Sequence, residues 1–172
     1  MEEPELVFEP FPSESLGRFL FDNIANFNIA ATGLETWHPV GFFLKNRRGE
    51  WLAGLTGDVW GNWLHVRLLW VTESLRGKCQ GSRLMDAAEA FAAEHGCLGV
   101  TLETHSFQAP GFYLKRGYEV FGTIDDYPPG HSKLFLRKRL DQSPACGAPP
   151  CSLSRPLLSA ASWPRPRLEQ AS

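Results

Sequence analysis

Three strand-like stretches, residues 40–44, Trp51–Trp60 and Trp63–Val71, follow one another with only short turns between them. Asn46-Arg47-Arg48-Gly49 is a turn sequence and Gly61-Asn62 a tighter one, so the three read as an antiparallel meander. The third stretch runs through Leu68-Leu69-Trp70-Val71 into a glycine-bearing basic loop, Arg76-Gly77-Lys78-Cys79-Gln80-Gly81-Ser82, and then into a helical pattern. A meander that feeds a helix, with further strands to follow, points to an α/β fold around a mixed sheet.

The helical pattern over residues 82–95 puts Leu84, Met85, Ala88, Phe91 and Ala92 on one face, and Gly96 is a natural stop. Leu98, Val100 and Leu102 then alternate as a strand. A short helix over residues 111–116 ends at Gly117, and strands over 118–123 and 133–140 flank a loop at 125–130 containing Pro128-Pro129. Upstream, residues 5–9 alternate weakly around Val7 and predict a short first strand. Pro12-Ser13 opens a helix with Ser13 as N-cap and Leu16, Phe19, Leu20, Ile24 and Phe27 at helical spacing, closing by Gly33. The predicted order is β-α-β-β-β-α-β-α-β-β.

The chain has 172 residues, 43% of them apolar and 21% charged, which suits one domain with a full core. Composition shifts after Leu140: residues 141–172 hold six prolines and six serines without a sustained period, so the domain is expected over 1–140 with a disordered tail behind it. A net charge of −2 argues against a nucleic-acid binder working by bulk electrostatics. Met1-Glu2-Glu3-Pro4-Glu5 lacks the basic and apolar regions of a secretion signal, and no apolar run is long enough for a bilayer, so a cytoplasmic protein without a membrane partner is expected. Cys79, Cys97, Cys146 and Cys151 form no CxxC, and the five histidines are dispersed, so free thiols and no metal are expected.

The loop before the second helix is the candidate site. A helix N-terminus carries unpaired N–H groups and the positive end of the helix dipole, and so attracts anions. Gly77 and Gly81 let the backbone turn those donors toward one point, and Arg76, Lys78 and Arg83 add positive charge. The chain has neither GxxxxGK[ST] nor GxGxxG here. On its own the loop reads more readily as a plain strand-to-helix turn with surface charges.

The wider stretch LLWVTESLRGKCQGSRLMDAAEAFA resembles the central motif of the GNAT superfamily of N-acetyltransferases, Arg/Gln-x-x-Gly-x-Gly/Ala between strand and helix. Arg76, Cys79 and Gly81 take its three defined positions, so cysteine replaces the first glycine. SFQAPGFYLKRGYEV resembles a second motif of that family, with Ala109, Tyr113, Gly117 and Tyr118 matching and Ser106 where asparagine is commoner. The resemblance spans roughly residues 5–140 and is densest over 63–140. It is to compact, single-domain bacterial members.

The resemblance implies a mixed, mostly antiparallel twisted sheet of about six to seven strands flanked by helices, two strands splaying apart at an acetyl-CoA site. It implies transfer of acetyl from acetyl-CoA to an amine. Arg76, Gly77, Lys78, Cys79, Gln80, Gly81 and Ser82 would hold the CoA pyrophosphate. Leu69, Trp70 and Val71 would pair with the pantetheine arm and polarise the acetyl carbonyl through a backbone N–H. Ser106 would touch that arm, and Tyr113 would protonate the leaving thiolate. Glu103 is the candidate base, with His65 and His105 as other options; each also reads as an ordinary strand residue. For the acceptor, a small-molecule or peptide amine, the regions on offer hold Asn23, Asn26, Phe27, Asn28, Trp37 and Asp125-Asp126-Tyr127. A homodimer is compatible with the family. Because Cys79 and Ser106 depart from the pattern, a non-catalytic acetyl-CoA sensor stays open as the alternative.

Overall fold

The chain alternates local stops and starts that fix each element before any tertiary contact is considered. In the computed structural model, residues 3–34 and 37–140 are described; the 141–172 segment, with Cys146 and Cys151, lies outside them. The chain divides into two units at residue 35.

The first unit holds one helix, α1 (Glu14–Thr32). Ser13 caps it as expected: its hydroxyl accepts from the Leu16 N–H at 3.3 Å, while Gly33, at φ +69°, ends it by donating to the Ile29 carbonyl at 2.8 Å. The first strand expected at residues 5–9 does not form. Its alternation rests on Val7 alone, Pro4 and Pro10 bracket it, and every residue in it is exposed.

The second unit runs β1 (His38–Lys45), β2 (Trp51–Trp60), β3 (Trp63–Val71), a 3₁₀ turn at Glu73–Leu75, α2 (Gln80–Glu94), β4 (Gly99–His105), α3 (Pro110–Lys115), β5 (Glu119–Asp125) and β6 (Ser132–Arg139). The strands form one six-stranded sheet ordered β1-β2-β3-β4-β6-β5. Only β3 and β4 are parallel, because the α2 crossover separates them; the other neighbours are antiparallel. The mixed, mostly antiparallel sheet expected from the sequence is therefore present. Leu55, Leu64, Val100 and Leu136 are fully buried from four strands, and Leu84, Met85, Ala88 and Ala92 bury the apolar stripe of α2 among them.

Two features of this frame set up the site. The β2–β3 register slips between Thr56 and Gly57: Gly57 faces Val66, Thr56 faces Leu68, and Arg67 is the extra residue of a β-bulge. Gly57 is required there, since a Cβ would run into the His65 carbonyl oxygen. The bulged Arg67 turns its Nε onto the carboxylate of buried Asp58, whose other oxygen accepts from the Trp37 indole N–H at 3.0 Å. Secondly, β3 pairs with β4 only from Trp63 to Val66, opposite Gly99 to Leu102. Beyond the bulge β3 continues with β2, and β4 continues with β6. The two parallel strands have parted, leaving each with a bare inner edge.

Candidate active site

The loop after β3 occupies one side of this parting. Arg76 folds back on the strand it follows: its Nε donates to the Val71 carbonyl at 3.2 Å, and its guanidinium lies 4.7 Å from the Trp70 ring centre. That leaves the Arg76 side chain as a pin on the end of β3. Gly77, at φ +70°, and Cys79, at φ +57° and ψ 10°, are both left-handed, and Cys79 is the cap residue of α2. Among the described residues, the N–H groups of Gly77, Cys79, Gln80, Gly81 and Ser82 find no acceptor, whereas Lys78 donates to Leu75 at 3.3 Å. The result is a run of unpaired donors at the positive end of a helix of 15 residues. Gly81 faces α3, where a Cβ would meet the Phe112 ring at 3.5 Å, an ordinary contact.

The first-glycine position of the motif is thus the left-handed one. Cysteine there keeps the N–H but carries a Cβ in a conformation that L residues disfavour by roughly 1–2 kcal/mol. Its side chain is exposed and makes no cap hydrogen bond.

α3 carries Tyr113 next to Phe112, the ring that stands against Gly81. The Tyr113 ring is buried and meets Phe112 and Tyr118 edge-on at 5.0 and 6.0 Å. Its hydroxyl has no hydrogen-bond partner among the described residues. Burial raises the Tyr113 pKa, so the phenol keeps its proton well into the alkaline range. An ionic knot holds α3 in place: Glu89 of α2 takes Arg116 at 3.0 Å, the Tyr118 hydroxyl at 3.2 Å and Lys138 of β6 at 2.6 Å, while Arg116 also reaches Asp86 at 2.6 Å. Burial first, then the Glu89 carboxylate, pushes the Tyr118 phenol pKa far up.

β4 forms the opposite side. It buries Val100, Leu102 and Thr104 and turns Thr101, Glu103 and His105 to the other face. Glu103 is ion-paired through one oxygen with Lys133 of β6, and that contact raises the Lys133 pKa. The His65 Nδ1 lies 2.9 Å from the Thr101 hydroxyl, so this histidine is held across the parallel pair. The Ser106 hydroxyl accepts from the Ser132 N–H at 3.1 Å, which ties the end of β4 to the start of β6. Asp125 accepts from the Ser132 hydroxyl and Asp126 from the Gly130 N–H, so both carboxylates brace their own loop. Asn23, Asn26, Phe27 and Asn28 belong to α1 of the first unit.

Of the expected site residues, 69–71, 76–82 and Glu103 lie on the parted strands or the loop beside them, and Tyr113 lies on α3, whose Phe112 stands against Gly81. Sequence reading missed Asp58 and Arg67, because a bulge is a register event and leaves only Gly57 as its trace. It also missed Phe107 and His131, which stand with His105 and Tyr127 at the C-terminal end of β4. Among the described residues, no group of three or more His, Cys, Asp or Glu could hold a metal, and no helix is long and apolar enough to cross a membrane.

The model of the Acetyltransferase (GNAT) family matches residues 5–118. A blasticidin-S acetyltransferase of Streptomyces morookaense is 52% identical over 94 residues, covering 54% of this chain and 69% of that protein. The crystal structure of an acetyltransferase from Bacillus cereus aligns with a TM-score of 0.69 and 34% identity, over 78% of this chain and 98% of that one. An acetyltransferase from Agrobacterium tumefaciens aligns with a TM-score of 0.76 and 26% identity, over 79% and 99%.

Proposed function

The chain belongs to the acetyltransferase (GNAT) family, and from that premise we propose that it moves the acetyl group of acetyl-CoA to a primary amine of a small molecule. Blasticidin S is the first acceptor to test, because the relative that shares 52% identity is named for it.

One observation carries the reading: β3 and β4 part at Val66 and Leu102, beside a loop of five unpaired N–H groups, and α3 carries a tyrosine with a buried ring and a hydroxyl without a partner. The donor run of residues 77–82 suits a pyrophosphate, and the bare edge of residues 67–71 suits the amides of a pantetheine arm. With the thioester laid along that edge, a backbone N–H near Trp70 or Val71 would stabilise the oxyanion.

The acceptor nitrogen attacks the carbonyl carbon; the C–N bond forms and the C–S bond breaks. Tyr113 gives its proton to the departing thiolate, and its raised pKa keeps that proton available. The proton lost by the amine goes to Glu103, directly or through water; only one of its oxygens is engaged by Lys133. A thiol-release assay with acetyl-CoA and a panel of amines that includes blasticidin S tests the reading. Thiol release that depends on an amine supports it, and its absence with every amine at saturating acetyl-CoA refutes it.

The left-handed Cys79 favours a second reading, a protein that binds acetyl-CoA through a weakened loop without turnover. Calorimetry separates the two: binding without amine-dependent thiol release identifies the sensor.

A further inference from the structure

A stack of rings stands at the C-terminal end of β4, the same end at which β3 and β4 have parted. The His105 imidazole stacks with the Phe107 ring at 5.1 Å and 23° and with the Tyr127 ring at 5.9 Å and 10°. The His131 imidazole meets Phe107 edge-on at 4.9 Å. Phe107 remains 53% and Tyr127 52% exposed, and the Lys133 ammonium lies 5.5 Å from the Tyr127 ring centre. We propose that Phe107, His105, Tyr127 and His131 form the acceptor subsite for a flat heteroaromatic ring that carries the amine to be acetylated.

The stack is built in advance. The Gln108 side-chain oxygen accepts from the Thr104 hydroxyl at 3.0 Å and from the His105 N–H at 2.9 Å, fixing the turn that carries His105 and Phe107. On the facing loop, the Tyr127 N–H donates to the His131 carbonyl at 2.9 Å, and the Asp126 brace closes the loop that carries both rings. The Ser106–Ser132 bonds join the two turns. Rings held this way lose little freedom when a ligand stacks on them.

The chemistry of the stack selects the class of ligand. Half-exposed aromatic rings favour a flat, conjugated ring over a puckered one, because stacking needs parallel contact. Both histidines engage neighbours through Nδ1, His105 with Gln108 at 3.4 Å and His131 with the Ser106 hydroxyl at 3.4 Å. Their Nε2 atoms have no partner among the described residues. Those atoms lie in the ring planes and can donate or accept, which suits the nitrogen or carbonyl edge of a heterocycle more than a hydrocarbon ring. The Glu103 carboxylate, two residues before His105 on the same strand face, supplies the charge for an attached ammonium group.

The inference rests on the acetyltransferase reading only for the fate of the amine; the ring subsite is read by binding. The probes are 4-(aminomethyl)pyridine and its puckered counterpart cyclohexylmethylamine, titrated calorimetrically into the full chain in the presence of CoA. The expected result is at least about tenfold tighter binding of the pyridine, lost in Tyr127→Ala and in Phe107→Ala, with cyclohexylmethylamine and CoA affinities within about twofold of wild type. Both side chains are half exposed, and an unchanged melting temperature confirms that the variants fold. Equal binding of the two amines, or a pyridine affinity that neither substitution moves, overturns the subsite. Tight pyridine binding without acetyl transfer from acetyl-CoA to any amine leaves the subsite standing and refutes the acetyltransferase mechanism.

Discussion

The two sides of the parted strands are made of different material. On the β3 side the useful groups are main-chain: the bare edge of residues 67–71 and the unpaired N–H groups of the loop into α2. On the β4 side they are side chains: Glu103, the two imidazoles and the exposed rings of Phe107 and Tyr127. Backbone donors survive substitution as long as the turn survives, which is how cysteine can stand in the glycine position and still offer its N–H. A side-chain surface has no such tolerance, and its identity decides what it binds. The first side fits a ligand common to a whole family, and the second a ligand particular to one member.

Substitutions can break that contrast, beginning with the frame both sides share. Glu89→Gln removes the carboxylate between Arg116, Tyr118 and Lys138 and leaves two partly buried cations short of one partner each. A loss of about 3 kcal/mol in unfolding free energy, read by urea titration, is expected. A loss below about 1 kcal/mol would show that Asp86 alone holds Arg116. Tyr113→Phe keeps the ring and removes the proton: kcat should fall about 100-fold with little change in the KM for acetyl-CoA. In the wild type, the alkaline limb of the rate that belongs to this group should lie above the ordinary tyrosine range, because burial raises its pKa. A limb at the ordinary value would mean that Tyr113 is hydrated in the working enzyme.

Gly57→Ala pushes a Cβ into the His65 carbonyl and so strikes the bulge itself. Destabilisation of about 2 kcal/mol is expected, with a raised KM for acetyl-CoA because the bare edge of β3 shifts. An altered acceptor KM alone would place the bulge with the side-chain side instead. The smallest effect is expected from Cys79→Gly. Relief of the left-handed strain should stabilise the fold by ~1 kcal/mol and tighten acetyl-CoA binding a few-fold in calorimetry. Unchanged affinity would show that the loop reaches its working shape despite the cysteine.

The same contrast explains what could be read in the sequence. The turns at Asn46–Gly49 and Gly61-Asn62 fixed the meander, with β2 and β3 starting and ending at the expected residues, because hairpin chemistry is local. The loop into α2 was legible for the same reason: glycines and a basic run between strand and helix encode a backbone shape. The weak alternation around Val7 misled, since a strand needs a partner edge as well as a pattern. The Asp58–Arg67 pair and the ring stack were hidden because they join residues of different elements. Arg67 meets Asp58 only once the register has slipped, and Phe107 lies beside His131 only once β4 and β6 pair.

The short parallel strip also orders events in time. β1, β2 and β3 pair across a few intervening residues, so the meander can close early; Trp63 meets Gly99, 36 positions further on, only after α2 has turned the chain back. During synthesis the third strand therefore waits with an open edge, Leu68-Leu69-Trp70-Val71 among its residues, until the fourth arrives. The edge that suits a cofactor in the finished protein is the same one that exposes the nascent chain to mispairing with its neighbours.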